Sequence, residues 1–239
     1  MLCSVWQPAE TPAVIFLMRP KSAGQKYTYR YIFIIFGVIM KTGISKAAQT
    51  KQYIIERTAP VFNAKGYAGT SLTDLTEATG LTKGSIYGNF ENKDEVALAA
   101  FDYNFSRVTT YLSERMLAKD NAVERLLVYP QVYRDFLKIP FLKPGCPLLN
   151  TSTEADDTHP ALKKKAADAL AFWKTAVEEQ IKRGIKRGEI KRATNPTEFT
   201  VVLMSLIEGA VMQAKVTERP SELRIAMGFL EKMILDLRP

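Results

Sequence analysis

The sequence has few of the residues from which catalytic and metal sites are usually built. Its 239 residues include two cysteines, Cys3 and Cys146, and a single histidine, His159. Two cysteines supply neither a disulfide framework nor the paired spacing of a zinc site, which favours a reducing cytoplasm as the compartment. One imidazole excludes His-rich metal sites, and the sequence has no glycine-rich phosphate loop. We therefore expect no metal and no cofactor.

An acidic cluster beside the histidine is the only other group of candidate catalytic or ligating residues. It consists of Glu154, Asp156 and Asp157, and it is interpreted as a solvated loop rather than as a metal site. A helical enzyme with a site around Cys146, Glu154 and Asp157 is the alternative from a different functional class. No recognisable spacing there puts a base beside a nucleophile, so the sequence disfavours an enzyme.

Long hydrophobic runs are also scarce, and the run near the start of the chain is short. Residues 31–40, YIFIIFGVIM, are almost wholly apolar, whereas a membrane-spanning helix needs about 20 such residues. The residues that follow make a poor secretory cleavage site. We expect residues 1–43 to be an unfolded extension with Met40 as the true initiator, and a weak membrane-associating tail is the alternative. The intact mass of the native protein distinguishes a start at Met1 from a start at Met40.

Positive charge is in excess, and its distribution is uneven. The chain has 33 Lys and Arg against 25 Asp and Glu, a formal net charge of +8 that suits a partner such as nucleic acid. Residues 160–192 carry ten bases against four acids, while residues 41–93 carry seven against four. The stretch KRGIKRGEIKR at 182–192 is interpreted as the solvated end of a long helix, where cations complement the helix dipole. A second nucleic-acid contact is the alternative.

Residues 71–90, SLTDLTEATGLTKGSIYGNF, predict two short helices joined by a tight turn. Ser71 and Thr82 are the predicted N-caps of the two helices, and Gly80 occupies the position where a helix end requires a positive φ. Ile86 and Phe90 are spaced to pack inward from the second helix. A helix this short is not stable by itself, so its polar face is expected to contact a partner.

The stretch from about Ala48 to Val108 resembles the DNA-binding domain of the TetR family of bacterial transcriptional regulators. The matching residues keep the order and spacing of the family, and they are Ile54, Ile55, Ala59, Phe62, Lys65-Gly66-Tyr67, Thr70-Ser71-Leu72, Leu75, Gly80-Leu81, Gly84-Ser85-Ile86-Tyr87, Phe90 and Asn92-Lys93. Two features depart from the common pattern. Many members have Tyr-x-His-Phe where this chain has Tyr87-Gly88-Asn89-Phe90, and Pro60 falls inside the first helix.

The resemblance implies that residues 46–92 form a helix-turn-helix DNA-binding domain around the motif at 71–90. Its second motif helix would then lie in the major groove of DNA. The expected DNA contacts lie at the starts of the two motif helices, on the polar face of the second and at the start of the next helix: Thr70, Ser71, Thr82, Lys83, Ser85, Tyr87, Asn89 and Lys93. The alternatives are a core position for Tyr87 and a free surface charge for Lys93.

The remainder of the chain carries helical patterns. Helices are predicted from Asn92 to about Met116, over 122–138 with an interruption at Pro130, and over 160–187, 196–215 and 221–236, where Ser221 is the predicted cap. Two prolines and a glycine at 144–147 are expected to exclude regular helix. The predicted fold is all-α, with an N-terminal three-helix helix-turn-helix domain followed by a larger helical ligand-binding and dimerisation domain at 93–239.

The resemblance also implies that the larger domain binds a small-molecule effector, which changes the angle of the fourth helix. The candidate pocket residues are aromatic side chains and one cysteine: Phe101, Phe105, Tyr133, Phe136, Cys146, Phe172 and Trp173. Plain core packing is the alternative for the aromatic residues, and Cys146 is either an inert thiol or a sensor of electrophiles. A homodimer is expected through helices 196–215 and 221–236, whose apolar faces could otherwise belong to the core of one monomer.

These patterns together predict a cytoplasmic DNA-binding transcriptional regulator that is not an enzyme. The resemblance implies a repressor that a small-molecule effector releases from a palindromic, double-stranded operator, and an activator is the alternative. A helical enzyme and a membrane-associated helical protein remain the alternatives, and a gel shift with the upstream DNA and cell fractionation distinguish them.

Overall fold

The structure is a computed structural model that describes residues 45–239, and every regular element in this range is helical. The predictions for residues 1–43, including initiation at Met40, lie outside the described residues. The helices are α1 (Lys46–Lys65), α2 (Leu72–Thr79), α3 (Lys83–Tyr87), α4 (Lys93–Leu117), α5 (Ala122–Tyr133), α6 (Pro147–Ala155), α7 (Pro160–Arg187), α8 (Pro196–Thr217) and α9 (Pro220–Leu235), with 3₁₀ turns at Phe136–Lys138 and Pro140–Leu142 between α5 and α6. The predicted all-α fold class is confirmed.

The helices pack around two hydrophobic cores. The smaller core joins α1, α2, α3 and the start of α4 through buried residues such as Ile54, Leu75 and Ile86. The larger core joins α4 through α9. α4 contributes to both cores, with Val96 in the smaller and Val108 in the larger. One continuous helix therefore links the two cores.

The predicted caps of α2 and α3 are confirmed. The Ser71 hydroxyl accepts a hydrogen bond from the Asp74 amide at 3.1 Å, and the Asp74 carboxylate accepts one from the Ser71 amide at 2.7 Å. Gly80 ends α2 with a φ of 68°. The Thr82 hydroxyl accepts from the Ser85 amide at 3.2 Å. These bonds satisfy amides that two such short helices would otherwise leave unpaired.

Two predictions about helix starts are wrong. Residues 144–147 do not exclude helix throughout, because Pro147 is the first residue of α6, where a missing N–H removes no hydrogen bond. Glu154 therefore lies on a helix and not in a solvated loop. The predicted cap Ser221 lies inside the first turn of α9, which begins at Pro220 with Arg219 as its N-cap residue.

The other predicted helices are close to the observed ones. α7 has the predicted bounds, and Asn195 caps α8 by accepting hydrogen bonds from the amides of Thr197 and Glu198. The predicted helix over 122–138 is shorter than expected, because α5 ends at Tyr133, three residues after Pro130. A proline inside a helix removes one backbone hydrogen bond and weakens the turn around it.

Among the described residues, α8 is the helix long and apolar enough to cross a membrane by length and composition alone. This criterion is weak, since a core helix of a soluble protein also meets it. Leu203, Ile207 and Val211 of α8 are fully buried in the larger core. Packing inside the protein therefore accounts for one apolar face of this helix.

Candidate nucleic-acid interface

The short helix α3 is attached to the protein by its apolar side. Ile86 is completely buried and Phe90, just after the helix, is 2% exposed, and both belong to the smaller core. Lys83 is exposed at the start of the helix, and Ser85 is half-buried on the outer side. The helix thus presents a row of donors and acceptors to the outside, supported by an apolar base.

The side chain of Asn89 is folded back on its own helix. Its amide nitrogen donates a hydrogen bond to the backbone carbonyl of Ser85 at 2.9 Å. An Asn amide has two N–H groups and a carbonyl oxygen, so this single bond leaves further polar groups for a partner. Asn89 is therefore held in a defined orientation.

Tyr87 is not a fully buried core residue, and Lys93 is not a free surface charge, which were the alternatives to DNA contacts for these two residues. Tyr87 is half-buried and packs against the smaller core, so its ring is partly structural. Lys93, the first residue of α4, places its ammonium 4.3 Å from the centre of the Tyr67 ring. A cation over an aromatic face is restrained, so Lys93 is not a free surface charge.

The predicted contact from Thr70 is wrong. Thr70 is fully buried, its hydroxyl donates to the Gly66 carbonyl at 2.6 Å, and its amide donates to the Tyr67 carbonyl at 3.3 Å. Both of its donors are used inside the fold, so the side chain holds the turn before α2. Ser71 is exposed, although its hydroxyl takes part in the cap of α2.

Thr73 and Gly84 are candidate contacts that the sequence reasoning missed. Thr73 is exposed in the first turn of α2, where amides have no partner within the helix. Gly84 lies in α3, and a Cβ added there would come no nearer than 4.0 Å to another group, the Thr82 hydroxyl. The fold has room for a side chain at 84, and glycine costs a helix about 1 kcal/mol relative to alanine. The absence of a side chain at 84 therefore suits close approach by a partner.

The six predicted aromatic effector residues fall into two groups, in and beside the larger core. Phe101 stacks on Phe105 with ring centres 6.1 Å apart, and Phe105 meets Phe172 edge to face at 6.0 Å. In the second group, Tyr133 stacks on Phe136 at 5.0 Å and on Trp173 at 6.4 Å. Five of these rings therefore belong to the larger core or pack against it, and Phe172 contacts the partly buried Phe105 ring.

Cys146 joins the second group through a buried glutamate that the sequence reasoning missed. Its thiol donates a hydrogen bond to Glu208 Oε1 at 3.1 Å, and burial raises the pKa of Glu208 to about 7. Within the described residues, Glu208 Oε2 has no hydrogen-bond partner, and the Trp173 indole N–H lies near the Tyr129 hydroxyl without forming a well-aligned hydrogen bond with it. Glu208 could have been noticed as a single acid in the apolar sequence of α8, FTVVLMSLIEGAVM.

The environment of Cys146 is opposite to that of a reactive thiol. Cys146 is 3% exposed, and burial together with the nearby Glu208 raises the pKa of its thiol well above the usual value. A nucleophilic cysteine needs a lowered pKa. Glu154 hydrogen-bonds backbone amides near α1, and Asp157 is exposed, so the three residues of the enzyme alternative do not share an arrangement for catalysis.

An exposed apolar surface lies on the outer side of α8 and α9. Six large apolar side chains on this surface are at least 46% exposed, and they are Val201, Val202, Met212, Val216, Ile225 and Phe229. Gly209 and Gly228 lie on these helices at positions where an added Cβ would meet nothing within 4 Å. Ala210, in contrast, is buried in the core of its own chain.

Sequence and structure comparisons match both parts of the chain. The family described as "Bacterial regulatory proteins, tetR family" matches residues 54–100, and "Tetracyclin repressor-like, C-terminal domain" matches residues 122–230. A TetR-family transcriptional regulator from Cytophaga hutchinsonii is 48% identical, with a TM-score of 0.79 over 82% of this chain and 98% of that one. A TetR transcriptional regulator from Chloroflexus aurantiacus is 34% identical, with a TM-score of 0.76 over 80% and 97%. The HTH-type transcriptional repressor DhaR of Mycobacterium sp. (strain GP1) is 25% identical over 70% of this chain and 82% of its own length.

Proposed function

Because this chain belongs to the TetR family of transcriptional regulators, we propose that it represses transcription from a palindromic operator until a small-molecule effector releases it. Members of the family are non-enzymatic DNA-binding proteins that bind operator DNA and small-molecule effectors and act as dimers. The DNA-binding class is therefore established. The contact residues, the dimer helices, the effector site and a cytoplasmic location are parts of the proposal.

The observation that carries the proposal is the two-sided character of α3. Ile86 and Phe90 fix the helix to the smaller core, while Lys83, Ser85 and the glycine at 84 face outward. Within this proposal, Lys83 contacts a phosphate or a guanine edge, and Ser85 and Asn89 reach base edges or the sugar-phosphate backbone. The N-terminal amides of α2 bind a phosphate beside the exposed Thr73.

A gel shift with the DNA upstream of the protein's own gene tests this assignment. We expect Lys83→Ala to weaken operator binding by roughly tenfold and to reduce the salt dependence by about one ion per subunit. The matched control is Lys186→Ala, an exposed lysine in the basic end of α7. If Lys83→Ala leaves binding unchanged, α3 is not the reading helix. An equal loss in both variants would add the second nucleic-acid contact at 182–192.

The proposed dimer forms through the exposed apolar surface of α8 and α9. Apolar side chains on both helices are open to solvent, and Gly209 and Gly228 allow backbones to approach closely. Two copies of this helix pair make a four-helix bundle with a two-fold axis. A dimer holds two copies of α3 at a fixed separation, so both half-sites of an operator are bound together and the affinity rises.

The proposed effector site is the cluster of Tyr133, Trp173, Cys146 and Glu208. A buried polar atom without a partner is destabilising by about 1–3 kcal/mol. A ligand that donates a hydrogen bond to Glu208 Oε2 would relieve one such atom, and the Trp173 indole N–H, which also lies near the Tyr129 hydroxyl, would donate to an acceptor on the same ligand. The effector would therefore combine a flat apolar body with a donor or a basic group. Thermal-shift screening of the substrates and products of enzymes encoded by neighbouring genes tests this. Glu208→Gln should remove the shift in melting temperature that a true effector causes.

A further inference from the structure

A carboxylate on α6 holds the turn that leads from α1 into the DNA-binding helices. Glu154 Oε2 accepts a hydrogen bond from the Tyr67 amide at 2.7 Å, and Oε1 accepts one from the Ala68 amide at 2.8 Å. Both oxygens are used by successive backbone amides, just after the end of α1 at Lys65. Charge-assisted bonds in a paired arrangement fix orientation as well as distance.

The backbone next to this carboxylate is shaped to admit it. Gly66 has a φ of 73°, and a Cβ added there would lie 2.4 Å from Glu154 Oε2. Any other residue at 66 would therefore meet both backbone strain and a direct collision with the carboxylate. The glycine that ends α1 and the glutamate of α6 fit each other.

Two asparagines make a second connection between α6 and α1. The Asn150 amide nitrogen donates to the Asn63 carbonyl at 3.0 Å, and the Asn63 amide nitrogen donates to the Gly145 carbonyl at 3.1 Å. Asn63 is buried in the last turns of α1, so these bonds are largely shielded from water. α6 is thus joined to α1 near both of its own ends.

The start of α6 is also part of the proposed effector site. Cys146, the N-cap residue of α6, donates its thiol hydrogen bond to Glu208 of α8. A cavity of about 20 Å³ lies where α1, α4 and α6 meet, and Asn63, Tyr67 and Glu154 line it.

We propose that Glu154 is a positioning residue that sets the orientation of α2 and α3 relative to the larger core. Movement at the start of α6 is passed along the helix to Glu154, and from Glu154 to the Tyr67 and Ala68 amides. This connection acts in parallel with α4. The inference rests on the proposed function only for the effect of the connection on DNA binding.

Distance measurement between spin labels tests the proposal in the full chain. Labels are attached at Glu77→Cys on α2 and Ala171→Cys on α7, two exposed positions, in a background with Cys3→Ser and the buried Cys146 retained. The double-labelled chain is diluted with excess unlabelled chain, so that electron–electron resonance reports distances within one subunit. This readout needs neither DNA nor the dimer.

We expect Glu154→Ala to shift or broaden the distance distribution at temperatures where the protein is fully folded. Glu154→Gln keeps one acceptor oxygen and turns an N–H toward an amide, so an intermediate distribution is expected. The matched control is Asp157→Ala, which removes an exposed acid two residues after the end of α6 and should leave the distances unchanged. If Glu154→Ala does not fold, the same comparison is made with Glu154→Gln.

A distribution in Glu154→Ala identical to that of the parent chain would overturn the proposal, as would equal broadening in Asp157→Ala. Operator affinity is measured separately by gel shift, and Glu154→Ala should lower it on the order of tenfold, a typical size for coupling between sites. A chain that binds no DNA but whose distances depend on Glu154 would contradict the proposed function and leave this inference standing.

Discussion

At the scale of single residues, the proposed DNA-binding surface separates side chains that hold the fold from side chains that face outward. Gly80 and Gly84 illustrate this separation, although both are glycines of the same motif. Gly80 has a positive φ that the end of α2 requires, while Gly84 lies in a helix where the fold has room for a side chain. The first glycine is explained by backbone conformation, and for the second our proposal is a partner that approaches closely.

Alanine substitution at the two positions is expected to give opposite results. Gly84→Ala should keep the stability or raise it by up to about 1 kcal/mol, because alanine favours helix, yet it should weaken operator binding. Gly80→Ala should lower the free energy of unfolding by about 1–2 kcal/mol, because a left-handed conformation is strained in any other residue. Urea unfolding and gel shift on both variants check this. Unchanged operator affinity in Gly84→Ala would contradict a close approach at 84.

The ionisation of Glu208 predicts that the free energy of unfolding depends on pH. Its pKa is about 7 in the folded protein, above the usual value of 4.5, so the folded state binds the proton more tightly than the unfolded state. The contribution of Glu208 to the free energy of unfolding therefore falls as the pH rises from 4.5 to 7, by roughly 3 kcal/mol in total. Urea unfolding at pH 5 and pH 8 should show that Glu208→Gln removes this pH dependence. Glu198→Gln, at an exposed position of the same helix, should retain it.

At the scale of helices, α8 has two apolar sides with different roles. Leu203 and Ile207 are fully buried, whereas Val201 and Met212 are about half exposed. Sequence periodicity predicts such a helix readily, but it does not tell which apolar side belongs to the chain's own core. The exposed side becomes visible only when the packing of α9 against α8 is known.

Charge introduced on this exposed side should separate the subunits. Phe229→Asp places a carboxylate in the proposed four-helix bundle, where burying an unpaired charge is costly, so the protein should become a monomer and bind its operator much more weakly. Leu117→Asp is the control, since Leu117 is 72% exposed at the end of α4, away from α8 and α9. Light scattering after size exclusion measures the mass. A dimeric Phe229→Asp variant would show that subunits associate through another surface.

The helices that the sequence predicted best are those with long periodic patterns and capping residues, such as α7 and α8. α6 could not be predicted because two prolines and a glycine normally mark a loop, and Pro147, unlike Pro196, does not follow a residue whose side chain caps a helix. The outward-facing side of α3 could be predicted, since Ile86 and Phe90 define its inner side. The burial of Thr70, the bonds of Glu154 and the pairing of Cys146 with Glu208 could not, because each depends on residues distant in the sequence.

At the scale of the whole molecule, α4 and α6 connect the DNA-binding helices to the larger core. α4 does so through apolar side chains in both cores, and α6 does so through the polar contacts of Glu154 and Asn150. Two connections of different chemistry restrict how the helix-turn-helix can rotate. In the absence of effector, the proposed dimer would therefore hold its two reading helices at a defined separation.

A fixed separation predicts a strict spacing between operator half-sites. Inserting five base pairs at the centre of the palindrome turns one half-site to the opposite side of the duplex, since a helical turn is about 10.5 base pairs. Binding by the dimer should then fall to the level of a single half-site in a gel shift. Five base pairs added outside the palindrome are the control and should have no effect. Equal affinity for both DNA molecules would mean that the half-sites are read independently.

The inner and outer residues of α3 have separate roles, and this separation affects how the sequence of such a protein can change during evolution. Lys83 and Ser85 contribute little to the buried base that Ile86 and Phe90 form. Substitutions at the outer positions can therefore accumulate without unfolding the chain. A duplicated gene could acquire a new target promoter through a few changes at these positions while its fold and its response to effectors persist.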